Sequence, residues 1–392
     1  MDETKYWVWL TMVFGIGSMR IWEAMCLFES AIDAYNGLKS EFMLKRLKPK
    51  EKDKILSTSI EQAVSLIEQH TKNGVKTVGY SSDEYPVQMR HIMNPPAVLY
   101  CKGNVSCMRS RKIITAVGTR NASEYSLRVT EDVCTRLALA GFVIVSGFAV
   151  GIDITAHLSA SRNKSPTICV MGGGVDIDYP RENFVYRDKI LNNNGLFISE
   201  YPMGTRPLPQ NFPKRNRILS AISYATIVFE ASDMSGSLIT AGLSAEYGRE
   251  VFCIPPSNIL SKKYSGNSML IRDGAEMLFD CDDIFAYFSS LEEYTEEEFF
   301  SESNYHGNTA SENAVSESST EEISTKIISS DSFEQLTEVQ KKIYSIIGSE
   351  PVHADVIAVR LGLDAEELFF ELTELEMTGL IRSLPGKMYE KI

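Results

Sequence analysis

Six short, continuously apolar runs separated by helix-length segments constrain this chain more than any other feature. They are Ile113–Val117, Phe142–Val145, Thr167–Val170, Leu196–Ile198, Thr226–Phe229 and Val251–Ile254. Strands apolar on both faces must be covered on both faces, and helices expected over residues 126–140 and 238–247 would supply that cover. The pattern predicts an α/β domain built on a doubly wound parallel sheet.

In such sheets ligands bind outside the carboxyl ends of the strands, so the residues after each run are the candidate site. They are Gly118-Thr119-Arg120 after the first run and Ser146-Gly147, then Gly151, after the second. Gly172-Gly173-Gly174 and then Tyr179-Pro180-Arg181 follow the third, and Ser199-Glu200 the fourth. Glu230-Ala231 follows the fifth, with Ser235-Gly236-Ser237 opening the next helix. Glycine lets a backbone approach an anion, helix-opening amides attract one, and arginine grips phosphate with a planar fork. Between the fourth and fifth runs lies Asn211-Phe212-Pro213-Lys214-Arg215-Asn216-Arg217, directly ahead of the apolar Ile218–Ile222. In a chain of net charge −13, these three cations need something negative to face; the alternative is a solvated basic patch at a helix start. With Arg120 and Arg181 the cluster predicts a phosphate-binding edge, on which Phe212 is available to stack on bases. Neither G-x-x-x-x-G-K-[ST] nor G-x-G-x-x-G stands at a strand end, which argues against a P-loop NTPase and an NAD enzyme.

The acidity is unevenly spread. Residues 111–283 carry 18 Lys and Arg against 18 Asp and Glu, and the excess acid concentrates in 291–322. A neutral body with local basic clusters can bind a polyanion. No apolar run reaches the roughly 18 residues that span a bilayer, and the first residues lack a signal-peptide pattern. The seven cysteines are scattered without a CxxC pair, so neither disulfides nor zinc is expected. A cytoplasmic location and no membrane partner follow as expectations.

Four regions are expected. Residues 1–75 read as a helical module whose turn Gly15-Ile16-Gly17 resembles a helix-hairpin-helix, with packing the preferred role because Arg20 is its only neighbouring cation. Residues 76–285 form the α/β domain, entered through an extended connector from Tyr85 to Tyr100. Residues 286–332, rich in Glu and Ser, read as a disordered linker in which Phe299-Phe300 could dock. Residues 333–392 read as three helices and a hairpin, a winged helix. Its third helix carries Asp364, Glu366, Glu367, Glu371, Glu374 and Glu376, which suits a protein contact or a structural role better than a DNA groove.

Asp153 and His157, four apart, form either an acid/base pair or metal half-site, or a contact in the site floor; the second reading is preferred. Ser146 and Ser199 have no nucleophile-elbow context. With no complete nucleophile-base-orienter set, no catalytic residue, metal or cofactor is expected.

The chain resembles the DprA/Smf DNA-processing family. The matching residues include Val117–Arg120, Ser146–His157, Gly174-Val175-Asp176 with Tyr179-Pro180, and Ile198–Pro202. Further matches are Phe212–Ile218, Glu230-Ala231, Ser235–Ala241, Gly248-Arg249, and Gly266-Asn267 with Leu270-Ile271. Order and spacing agree over about residues 80–280. The resemblance implies an extended Rossmann-like domain that binds single-stranded DNA, forms a homodimer and loads RecA recombinase in natural transformation. It implies DNA contacts for Arg120, for Arg181 where a lysine is usual, and for Arg215, Asn216 and Arg217; among the cluster, Arg215 and Lys214 are the foremost candidates and Arg217 the one with a structural alternative. Pro255-Pro256 stands where the family has Pro-Gly, Thr119 where it has Ser or Ala, and Phe148 where it has Leu. From the residues alone, a nucleotide or nucleoside-phosphate hydrolase using Asp153, His157 and Glu230 remains open, as does a free-nucleotide sensor.

Overall fold

The computed structural model describes residues 3–291, 337–348, 351–361, 363, 365–377, 380–384 and 388–391. Most of the expected acidic linker with Phe299-Phe300, Asp364, and the Pro385-Gly386-Lys387 turn lie outside the described residues. The chain divides into two compact units, Met1–Tyr294 and Thr295–Ile392.

The first unit opens with six helices: α1 (Thr4–Phe14), α2 (Met19–Met25), α3 (Ala31–Leu38), α4 (Glu41–Leu44), α5 (Pro49–Ser57) and α6 (Ile60–Lys72). Their starts are chemically marked. Ser18, Ser30 and Ser40 cap α2, α3 and α4, and Ser59 with Gln62 forms a capping box on α6.

A nine-stranded sheet follows, made of β1 (Lys76–Gly79), β2 (Val98–Gly103), β3 (Ile113–Val117), β4 (Val143–Ser146), β5 (Thr167–Val170), β6 (Leu196–Ser199), β7 (Ala225–Val228), β8 (Glu250–Cys253) and β9 (Glu276–Met277). All six apolar runs are strands. The sheet order is β1-β2-β6-β5-β4-β3-β7-β8-β9, parallel from β6 to β9, with β2 antiparallel to β6 and β1 antiparallel to β2. The expected connector is thus partly strand: Val98–Gly103 pairs with β6, and the proline-rich stretch before it is irregular apart from a 3-10 turn at Val87–Met89. Proline at 95 and 96 and the antiparallel direction hid a strand that lies between β1 and β6, outside the parallel part of the sheet.

The helices between strands are α7 (Glu124–Leu139), α8 (Ile152–Arg162), α9 (Arg187–Asn192), α10 (Asn211–Ile222), α11 (Gly236–Glu246), α12 (Ser265–Arg272) and α13 (residues 281–291). From β3 the chain winds outward through β4, β5 and β6, then α10 carries it back to β7 on the other side of β3. This reversal is the topological switch point at which open α/β sheets bind ligands. α10 buries Ile218, Leu219, Ala221 and Ile222 in the core on one sheet face; α7, α8 and α13 cover the other.

The six N-terminal helices share a core with the sheet. Trp7, Trp9 and Leu10 belong to one buried cluster with Tyr100, Phe148, Met171 and Phe197. The Gly15-Ile16-Gly17 turn faces inward: a Cβ on Gly17 would lie 3.3 Å from both Arg217 Nη2 and Glu200 Oε2. Asn94 Nδ2 donates to the Gly17 carbonyl at 3.0 Å, and Arg20 is engaged by Glu51 and Glu23. The turn therefore packs against the sheet domain.

The second unit contains α14 (Glu338–Ile346), α15 (Ala354–Leu361), α16 (Ala365–Met377) and a three-stranded sheet of β10 (Val352–His353), β11 (Ile381–Leu384) and β12 (Met388–Lys391) in the order β10-β12-β11. Ile343, Ile357, Leu368, Leu372 and Ile381 form its core, and Thr337 with Gln340 caps α14. Three helices with a wing-like hairpin match the expected winged helix. Among the described residues no helix is long and apolar enough to cross a membrane.

Candidate functional site

The first turns of α10 hold the basic cluster, and most of it is buried. Arg215, Asn216 and Arg217 are 6, 8 and 9% exposed, while Lys214 is on the surface. Each buried residue ties the helix to a different part of the fold. Arg215 Nη1 donates to the Gly147 carbonyl after β4 at 2.9 Å and to the Val170 carbonyl of β5. Asn216 Nδ2 donates to the Gly236 carbonyl at the start of α11, 3.2 Å away. Arg217 pairs with Glu200, just past β6, at 2.5 Å, with both side chains almost fully enclosed. The negative group that Arg217 faces is thus internal, and its structural alternative is the geometry found. Asn216 is likewise held within the fold.

Arg215 differs from both, because it also lines a cleft. The cleft encloses about 40 Å³ among Arg120, Gly147, Met171, Gly172, Gly173, Gly174, Tyr179, Pro207, Phe212 and Arg215. Arg120 stands exposed on the loop after β3. The guanidinium carbons of Arg120 and Arg215 each lie 5.8 Å from the centre of the Phe212 ring, and Tyr179 packs on the same ring at 5.5 Å. Burial lowers the Arg215 pKa to about 10; Asp153 opposes that shift and the Arg120 charge adds to it. Arg215 stays protonated at neutral pH, and its buried Nε has no hydrogen-bond partner among the described residues.

Asp153 lies behind Arg215 rather than in the open. Its Oδ2 accepts the Gly147 and Ala149 amides at 3.1 and 3.3 Å, and burial pushes its carboxyl up from the ordinary range against the pull of Arg215. His157 is fully buried. Thr167 Oγ1 donates to the Ile144 carbonyl, so it accepts from His157 Nδ1 at 2.7 Å. Burial, then the Arg215 charge, drives the imidazole pKa down to about 3. Both residues organise the floor beneath the cleft.

Glycine works here chiefly through close approach. A Cβ on Gly147 would lie 2.6 Å from both Arg215 Nη atoms and 2.7 Å from Asp153 Oδ2. Gly151 has φ +82° and meets the Thr119 carbonyl, so it needs both space and a left-handed backbone. Gly118, Gly173 and Gly174 admit Ile152, the Thr205 carbonyl and the Asp176 carboxylate respectively, so their missing side chains serve internal packing.

The other predicted residues lie around this centre. Gly118 and Thr119 leave β3 beside β7, where the Thr119 amide donates to the Glu230 carbonyl at 2.8 Å. Ser146 is buried, donating to the Ala116 carbonyl. Arg181 is exposed two residues beyond the cleft-lining Tyr179. Ser235 and Ser237 bond each other at the start of α11, away from the cleft lining.

Sequence reasoning named Glu230 as a strand-end and candidate hydrolase residue but not as a positioning residue, and it did not name Tyr264. Glu230 holds the Arg120 loop at both ends, through its carbonyl to Thr119 and its Oε2 to the Ser123 amide and hydroxyl at 2.9 and 2.6 Å. Tyr264 completes that network at 2.8 Å from Ser123 Oγ. Phe148 takes φ 58°, a conformation rare for a bulky residue, while Asn183 Nδ2 binds its carbonyl and its ring meets Phe197 edge-on at 5.1 Å. An outward Arg120, a half-buried Phe212 ring and a buried Arg215 meet in a cationic cleft at the switch point of a Rossmann-type fold. The sequence matches the family model for DNA recombination-mediator protein A over residues 76–289 and that for the DprA winged helix domain over 330–387; the chain belongs to the DprA/Smf family. It is 31% identical to Protein Smf of Synechocystis over 331 residues, covering 83% of this chain and 82% of that protein. It is 39% identical to DNA processing protein DprA of Bacillus subtilis over 217 residues, covering 55% of this chain and 72% of the relative. The solved DprA of Streptococcus pneumoniae superposes with a TM-score of 0.63 at 29% identity, covering 73% of this chain and 98% of that one. DNA processing protein A from Helicobacter pylori, solved in a study of its single-stranded DNA binding mode, gives 0.50 at 29% identity, covering 56% and 96%.

Proposed function

We propose that the protein binds single-stranded DNA through this cleft without sequence preference, and as a homodimer hands the strand to RecA recombinase. The observation that carries the reading is the pairing of Arg120 and Arg215 about Phe212. Two cations converge on one apolar ring, and the acid near them, Asp153, sits behind Arg215 bonded to backbone amides. The group that belongs between them is an anion attached to something flat, a backbone phosphate with its base. The size of the cleft supports a strand over a free nucleotide: small-molecule sites enclose roughly 300–1,000 Å³, far above this cleft's 40 Å³. Such a cleft grips one backbone unit and leaves the rest of a polymer outside. A hydrolase reading loses its machinery, because His157 and Asp153 are buried and already bonded to Thr167 and to backbone amides. The protein acts by binding rather than catalysis.

The test is titration of a fluorescent single strand across a salt series with the Arg120→Ala variant. Losing one charge-assisted phosphate contact should weaken binding by about 1.5–3 kcal/mol and reduce the salt slope by about 0.7. Unchanged affinity and slope would refute the cleft as the DNA site.

A further inference from the structure

One segment of the N-terminal module carries the opposite charge to the chain it belongs to. Residues 39–54 hold seven Lys and Arg against three Asp and Glu, within a protein of net charge −13. Two of those acids are already engaged. Glu51 receives two nitrogens of Arg20 at 2.9 and 3.1 Å, and Glu41 lies 2.7 Å from Lys45. α5 buries only Ile55, so Lys50, Lys52 and Lys54 on the helix and Lys48 at its cap all remain exposed. On the helix, Lys48 and Lys52 share one flank and Lys50 and Lys54 the other, each pair separated by a rise of about 6 Å. That rise is comparable to the separation of successive phosphates in an extended strand. Just before α5, the Arg46 guanidinium lies 3.9 Å over the ring of Phe42, which is 60% exposed. An aromatic ring covered by a cation on one side and open on the other is a stacking platform.

We propose that this face of α4 and α5 is a second contact for single-stranded nucleic acid, with the lysines on backbone phosphates and the Phe42–Arg46 pair under a base. The inference rests on the cleft being a strand-binding site and extends it: a strand longer than the cleft can hold is gripped twice. An anionic lipid surface would also attract lysines, but helices of four and nine residues offer it little apolar face.

The test uses the full-length protein and the variant Lys48→Gln/Lys50→Gln/Lys52→Gln/Lys54→Gln, whose exposed positions leave its melting temperature unchanged. Binding of a tetranucleotide, which reaches only the cleft, and of a strand several tens of nucleotides long is measured across salt. The variant should keep tetranucleotide affinity, lose roughly tenfold on the long strand, and lose up to about 3 from the long-strand salt slope, about 0.7 per phosphate contact. An unchanged long-strand slope overturns the proposal. So does an unchanged slope accompanied by loss of binding to phosphatidylglycerol vesicles, which would assign the face to a membrane. Long-strand binding lost in the variant, with no wild-type tetranucleotide binding, would sustain this face and refute the cleft. Binding of neither strand by wild type refutes both.

Discussion

Arg217 and Arg120 belong to the same edge of the same sheet, yet one is enclosed against Glu200 under the Gly17 turn and the other stands in solvent beside Phe212. Both are arginines in motifs rich in small and polar residues. Their surroundings separate them: Arg217 has its counter-charge 2.5 Å away inside the fold, whereas Arg120 faces a second cation, Arg215. A cation with an internal partner holds a site together, and a cation facing its own kind recruits an anion from outside. Arg215 stands between the two, braced by two carbonyls and yet lining the cleft beside Arg120.

That contrast can be broken experimentally. The largest effect belongs to Arg217→Ala, which strands an enclosed Glu200 carboxylate and should cost about 3–5 kcal/mol in urea unfolding; a loss under 1 kcal/mol, roughly that of an exposed pair, would put Arg217 in the same class as Arg120. Acid acts next, through His157. Its folded pKa of about 3 lies below the unfolded value of 6.5, so the unfolded state takes up the proton first. Stability from this group is complete above pH 6.5 and falls as pH drops toward 3, by about 1.4 kcal/mol per unit. Urea midpoints recorded over that window should slope less in His157→Gln than in wild type; parallel slopes would contradict the buried, neutral imidazole. Gly147→Ala should follow, because its new methyl displaces Arg215 and Asp153 together: about 1–3 kcal/mol of stability and a measurable part of the strand affinity should go at once. The smallest change is Lys214→Ala. Its exposed side chain should leave the melting temperature alone and take about 0.7 from the salt slope if it meets a phosphate, which sharpens the division between buried and exposed members of one motif.

Much of this fold was legible because its central strands are buried on both faces. Ile113–Val117 and Thr226–Phe229 can hardly be anything but parallel strands. β1 and β9 were not legible, since Lys76–Gly79 is a four-residue edge strand whose one large apolar residue is Val78, and Glu276–Met277 is two residues long. At the site, Arg120 and Phe212 follow from their place after strands. The partners of the α10 cluster do not, because Glu200, Gly147, Val170 and Gly236 come together only when α10 crosses back over the sheet. The positioning role of Glu230 escaped for a related reason. Its role depends on β3 and β7 being neighbours, and more than a hundred residues separate Ser123 from the carboxylate that holds it.

The path of α10 also sets when the cleft can exist. Its walls come from strands β3, β4 and β5 and from a helix made only after β6, and Gln88 is bonded to the helix's last turn from 134 residues away. Contacts of such long separation form late, since the loop between them must close first. A chain still emerging from the ribosome, or one that has lost β6, therefore has the arginines but no place to put a phosphate. Possession of the pocket is a certificate that β3 to β6 and α10 have been assembled, and strand binding through it would serve as an assay for that part of the fold.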